Sequence, residues 1–356
     1  MGMVQYPSLL KILSQHLGGN NARLKVLSDL IICLLKARSV NLVHLATHSQ
    51  LSTPQTSIYR RFQRFFSQWD FPELLLAKYI LSRLSIPKPK NGYVLSIDRT
   101  NWQYGQKHIN ILTIGIVIGK VAVPLVWSTL PQTSKRGNSN TTLRIELLSK
   151  LLKVLPAKEI NFIAMDREFH GKKWLAWLDE NQLTFVLRIR ANSIVDKYLA
   201  REHRRSKREP QAIFGMELYF GVKHVNSQRT DALYVVSNHL KPKKALNAYQ
   251  QRWGIEVLFG HFKKKGLNLE DTHLTQADKI DRLVALATLS LLFSFSWALL
   301  LKKHLKLPQY YLRKSAFRLG LESIVKVINS QQFEDLIKIL TSPKPQSRHI
   351  KSIFVV

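Results

Sequence analysis

Two aspartates occupy matching places in this chain. Asp98 closes the run Leu95-Ser96-Ile97, and Asp166 closes Ile163-Ala164-Met165. If both runs are strands of one open α/β sheet, their carboxyl ends are where ligands and metals gather. Taken singly, either residue also suits a turn after a strand. A third acid, Glu256, lies in Tyr249-Gln250-Gln251-Arg252-Trp253-Gly254-Ile255-Glu256. On a continuous α-helix at 100° per residue, Tyr249, Arg252, Glu256 and Lys263 share a stripe about 60° wide. A hydroxyl, two cations and one carboxylate make a poor core face. They suit a surface turned toward phosphate, with Glu256 as the acid available to a metal, the alternative being the solvated side of an amphipathic helix. Trp253 beside Arg252 suits stacking on a base or anchoring a core.

The elements that must carry these residues can be read from periodicity. Tyr93 to Ile97, Ile109 to Ile118 and Val121 to Trp127 are apolar or β-branched runs divided by turns, so a three-strand meander is expected. A helix follows from about Thr141 to Leu155, then a strand at Ile160 to Met165, a helix at Gly171 to Asn181 and a strand at Thr184 to Ile189. Three strands, helix, strand, helix, strand is the order of a ribonuclease-H-like α/β core. Strand-like runs at Phe214 to Val225 and Ala232 to Ser237 read as part of a β-rich insertion, and helices resume at Pro242. The expected organisation is a helical region at 1–85, the core at 86–190 and an insertion at 191–240. The core resumes at 241–305 with the Glu256 helix, and a C-terminal helical region occupies 306–356. Ile86-Pro87-Lys88-Pro89-Lys90 is the expected linker, and Thr341 to Pro345 the expected fraying segment.

Within the first region, Val40 to His48 is a short helical pattern. A second helix is expected after Thr53 as cap and Pro54 as first helical residue. The pair resembles a helix-turn-helix, with Arg60, Arg61 and Arg64 on its second helix aimed at phosphates or base edges. A solvated helix face is the other reading of the same arginines.

Charge narrows the function. The chain has 356 residues, 54 Lys+Arg and 23 Asp+Glu, a formal net charge of +31. An excess of that size works against compactness by self-repulsion and calls for a polyanionic partner, nucleic acid before an anionic membrane. The single cysteine, Cys33, excludes an intramolecular disulfide and any cysteine-based zinc cluster, and it fits a reducing, cytoplasmic setting. Met1 to Gln15 does not read as a signal peptide. Leu283 to Leu301 is uncharged and long enough to span a membrane, but its Thr288, Ser290, Ser294 and Ser296 favour a buried helix. His44 and His48 lack the glutamate of a zinc-protease helix, and Gly115-x3-Gly119-Lys120 is too short for a phosphate-binding loop.

Tyr249-x2-Arg252-x3-Glu256-x6-Lys263 resembles the Tyr-Arg-Glu-Lys signature of the IS4-family DDE transposases of bacterial insertion sequences. Asp98-Arg99-Thr100-Asn101-Trp102 and Asp166-Arg167-Glu168-Phe169 look like that family's catalytic aspartates in context, and the similarity runs from about residue 90 to 320. The resemblance implies a metal-dependent transposase with Asp98, Asp166 and Glu256 as catalytic metal ligands, and with Tyr249, Arg252 and Lys263 on DNA. Two divalent ions would stabilise the attacking and leaving oxygens of an in-line phosphodiester displacement. An oxygen-only donor set makes Mg²⁺ the expected ion and Mn²⁺ a substitute. Double-stranded DNA at element ends and target, a homodimer in the synaptic complex and no membrane follow from the same resemblance. It also puts a base-stacking aromatic of the insertion near Ala232 and Tyr234.

Overall fold

The computed structural model describes residues 6–83, 89–131, 139–224, 231–342 and 345–354. Most of the expected linker, residues 86–88, and Pro343 and Lys344 of the tail fall outside the described residues. The chain begins with helices α1 (Pro7–Leu17), α2 (Asn21–Ala37), α3 (Leu42–Thr47), α4 (Gln55–Gln68) and α5 (Glu73–Arg83). Strands β1 (Tyr93–Tyr104), β2 (Lys107–Ile118) and β3 (Val121–Thr129) follow. Next come α6 (Thr141–Leu152), β4 (Ile160–Met165), α7 (Lys172–Glu180) and β5 (Phe185–Arg188). Short strands β6 (Ile194–Val195), β7 (Tyr198–Leu199) and β8 (Gln211–Ile213) lead to β9 (Met216–His224) and β10 (Ala232–Ser237). The rest is helical: α8 (Pro242–Tyr249), α9 (Trp253–Phe262), α10 (Ala277–His304), α11 (Gln309–Leu312), α12 (Ala316–Asn329), α13 (Phe333–Thr341) and α14 (Ser347–Ile353).

Two compact units result. One comprises residues 86–102 and 108–259, and the other residues 1–85, 103–107 and 260–356. The first is built on an eight-stranded mixed sheet in the order β3-β2-β1-β4-β5-β10-β9-β8. β4 is parallel to β1 and to β5, as crossovers through α6 and α7 require. This is the ribonuclease-H-like α/β arrangement. The β-rich stretch does not stand apart from it: β10 pairs antiparallel with β5, and β9 with β10, so the insertion prolongs the sheet. Ala245, Ala248 and Tyr249 of α8 close over Phe162, Ala164, Val186 and Val235 on one face.

The second unit joins helices from both ends of the chain. Ser39 Oγ donates to Asp271 Oδ2 at 2.9 Å, and the Ser8 N–H donates to Glu334 Oε2 at 2.9 Å. α10 is long and apolar enough to cross a membrane, yet 83% of its apolar window is buried, against α2, α4, α5, α12 and α14. Ser290 and Ser294 return their hydroxyls to carbonyls one turn back, which satisfies them inside an apolar core. In α4 the expected Thr53 cap is not made. The helix begins at Gln55 with Pro54 at its cap and no side-chain oxygen on its first N–H groups.

His261, near the end of α9, is 7% exposed, with its ring 4.6 Å from that of Phe317 and its Nδ1 without a partner. Burial, with Lys265 adding, pulls its pKa down from 6.5 to about 4. The unfolded chain therefore takes up a proton that the folded chain refuses until the lower pH. Stability held above about pH 6.5 is lost as pH falls toward 4, by up to about 3 kcal/mol. His261→Phe is expected to flatten this limb in urea titrations at several pH values. An unchanged slope would assign the acid sensitivity to other groups.

Candidate active site

β1 and β4 are in register from Val94 opposite Phe162 to Ile97 opposite Met165. The next residue on each strand is acidic, so Asp98 and Asp166 stand side by side where the parallel pairing stops. β4 ends there. β1 does not: it continues through Asp98 to Tyr104, because its hairpin with β2 runs on beyond the reach of β4. The expectation that Asp98 terminates its strand is corrected accordingly.

The Tyr249 to Lys263 segment is not one uninterrupted α-helix. Tyr249 ends α8, Gln250–Arg252 form a 3-10 turn, and α9 starts at Trp253. Gly254 allows α9 to lie close on the β2–β3 hairpin, since a Cβ there would come within 3.2 Å of Val117 and 3.3 Å of Ala122 N.

Arg252 is the centre of the arrangement. Only 8% exposed, it donates from Nη1 to Asp98 Oδ2 at 2.9 Å, from Nη2 to Glu256 Oε1, and from Nε to the Tyr249 hydroxyl at 3.1 Å. Tyr249 in turn donates to Asp166 Oδ1 at 3.2 Å. One guanidinium and one phenol thus tie together the three acids, which arrive from a strand, a strand end and a helix. Burial opposes the charge on Arg252, but Tyr249, Glu256, Asp98 and Asp166 outweigh it and hold the pKa above its ordinary value. Burial pushes Asp98 up to about 7 against the bond from the Arg99 N–H and the charge of Arg252, and Glu168 and Asp166 add to the rise. Burial also carries the Tyr249 hydroxyl up to about 12, so it stays a proton donor at neutral pH.

The donor chemistry fits a hard divalent cation, since the grouped side chains offer carboxylate oxygens and neither cysteine nor histidine. Asp166 Oδ2 and Glu256 Oε2 carry no hydrogen bond among the described residues. With Arg252 between Asp98 and Glu256, no three potential ligands stand ready-made at metal spacing among the described residues. A cation would share these carboxylates with the guanidinium.

Other expected residues lie elsewhere. Trp253 is 62% exposed, its ring outside any core. Lys263 follows α9 and pairs with Glu270 at 2.9 Å in the helical unit. Arg60 and Arg64 on α4 are exposed, Arg61 is half-buried, and α3 and α4 pack together. Tyr234 is 8% exposed on β10 with its ring stacked on Phe220, so it is not offered to a base. Gly119 and Lys120 are the tight turn between β2 and β3. Two residues that neighbour the aspartates in sequence, and a distant one that sequence reasoning missed, complete the surroundings. Arg99 reaches Glu168 at 3.3 Å, Glu168 Oε1 is buried without a partner, and Arg144 on α6 is buried beneath the turn after Asp166. Only an arginine in the first turn of α6, against the helix dipole, hints at the last.

The family model described as Transposase DDE domain matches residues 89–293 of this chain. No curated protein matches it.

Proposed function

This chain belongs to the transposase DDE-domain family, and on that premise we propose that it is the transposase of an IS4-type insertion sequence, acting by cut and paste. Its substrate is double-stranded DNA at the element's ends and then at a target, engaged by a homodimer. The observation that carries this reading is the cluster itself: Asp98 and Asp166, side by side where the parallel pairing of β1 and β4 stops, and Glu256 from α9, held together by Arg252 and Tyr249.

In this reading Asp98, Asp166 and Glu256 hold Mg²⁺, or Mn²⁺ in its place, which supplies charge stabilisation to the attacking and leaving oxygens of a phosphodiester. Arg252 keeps Asp98 and Glu256 within reach of each other and offsets their repulsion before DNA arrives. Tyr249 orients Asp166 through its hydroxyl and stays protonated, so it takes no part as a nucleophile. Trp253, next to Arg252 in the chain and exposed, presents a face on which a base at the DNA end can stack. Lys263 serves as a phosphate contact, and Arg60, Arg61 and Arg64 recognise the element's ends.

The test is incubation with linear DNA carrying the element's ends and a circular target, in Mg²⁺. Joined products that begin at a 3′-OH end are expected. Hydrolysis without joining would make the protein a nuclease on the same scaffold.

Electrostatics gives a second measurement. With +31 of formal charge, log affinity for DNA should fall linearly with log salt, by about 0.9 per phosphate contacted. Alanine at Arg60, Arg61 and Arg64 is expected to weaken binding to element ends more than to random DNA. Equal losses on both would reduce α4 to a general phosphate contact.

A further inference from the structure

Arg144 is buried, 6% exposed, in the first turn of α6, where the helix N-terminus is itself positive. It forms no short ion pair among the described residues. Its Nε donates to Ser139 Oγ at 2.8 Å, and its Nη2 donates to the Ser139 carbonyl at 2.8 Å and the Glu168 carbonyl at 3.1 Å. The guanidinium also lies over the Phe169 ring, 4.8 Å from its centroid. The Glu168 carboxylate favours the charge from a distance, but burial outweighs it, and desolvating a full charge to hydrogen-bond neutral acceptors is a costly arrangement for stability alone. All that it grips on the sheet side is one 3-10 turn, Arg167–Phe169.

That turn starts at Asp166, whose carbonyl accepts the Phe169 N–H at 3.0 Å. The backbone of Asp166 is therefore fixed from two sides. Before it, Met165 is paired with Ile97 and with Leu187. Behind it, Arg144 holds the Glu168 carbonyl and the Phe169 ring. We propose that Arg144 is a positioning residue for Asp166, a fork that fixes the turn behind the carboxylate so that Asp166 meets a divalent cation at the angle set by β4. This rests on the proposed role of Asp166 as a metal ligand. Lysine cannot replace the fork, because one ammonium does not span the Ser139 and Glu168 carbonyls while also covering the Phe169 ring.

The experiment compares the full chain with Arg144→Lys, Ser139→Ala and Asp166→Asn. Mn²⁺ affinity is measured by calorimetry without DNA, amide hydrogen exchange over residues 166–169 without metal, and DNA-end affinity in chelator. Loss of a group that orients a ligand typically weakens metal binding about 10- to 100-fold. Arg144→Lys is expected to lose about tenfold in Mn²⁺ affinity and to exchange faster at Phe169, with DNA affinity unchanged. Ser139→Ala, which removes one anchor of the fork, should show both effects in smaller measure. If Arg144→Lys does not fold, Ser139→Ala decides by the same two readouts. Wild-type Mn²⁺ affinity in a folded Arg144→Lys, or in Ser139→Ala where that is the deciding variant, would overturn the proposal, provided Asp166→Asn lowers it. An Asp166→Asn protein that binds Mn²⁺ normally would instead overturn the metal site beneath it.

Discussion

Asn at Asp98 or Asp166, or Gln at Glu256, is expected to abolish DNA cleavage while leaving DNA binding intact. Each change removes a negative charge and nearly preserves shape. Residues that act as one catalytic unit lose rate out of proportion to the single contact removed, so a drop of roughly a thousandfold or more is expected in Mg²⁺. Binding should hold because the attraction for DNA is spread over an excess of 31 positive charges. It should rise slightly, since each variant removes an acid that faces phosphate. Gel-shift titration and a cleavage time course on the same labelled end separate the two effects, and a partial return of activity with Mn²⁺ fits a ligand set with one weak member. Near-normal cleavage by Glu256→Gln in Mg²⁺ would sink Glu256 as the third carboxylate. Glu168 would then take its place for testing, because its charge already acts on Asp98 and its Oε1 is buried without a partner.

Gly320→Ala should cost more stability than any other single methyl group discussed. On α12, Gly320 faces the backbone of α10 so closely that a Cβ would run into the carbonyl group of Ser294. Backbone cannot swing aside as a flexible side chain can, so the two helices must separate. The two helices pack together, and Leu319 and Leu321 of α12 and Leu291 and Phe295 of α10 are all buried. Overpacking of this kind costs about 3 kcal/mol or more. Urea unfolding is the measurement, and a midpoint equal to that of the parent would mean that α12 does not approach α10 this closely in solution. Gly254→Ala, with a nearest approach of 3.2 Å, is expected to cost less.

Much of the ribonuclease-H-like core was legible because its signals are local. The β-branched runs that form β1 to β5 and the break at Gly119-Lys120 depend on neighbours a few residues away. The carboxylates were legible as types and spacings. Their environment was not, for a continuous-helix projection cannot anticipate the 3-10 turn that tilts Arg252 inward, nor that its guanidinium bonds to Asp98, 154 residues away. The stripe looked like a surface aimed at phosphate. In the folded chain Tyr249 and Arg252 are buried among acids, while Trp253 is left exposed.

By itself the sequence determined the basic charge, the ladder of elements in the core, and three acids at places suited to metal-assisted phosphate chemistry. Composition and periodicity are properties of short windows, so no partner needs to be known. Only the tertiary structure decided that Asp98 and Asp166 are neighbours across parallel strands, that the insertion extends the sheet, and that helices from both ends form one unit. It also decided that Arg144 lies beneath the turn after Asp166. Each of these is a pairing between distant segments. Each is settled by which buried surfaces and hydrogen-bonding groups satisfy one another once the chain has closed, a condition that no local window contains.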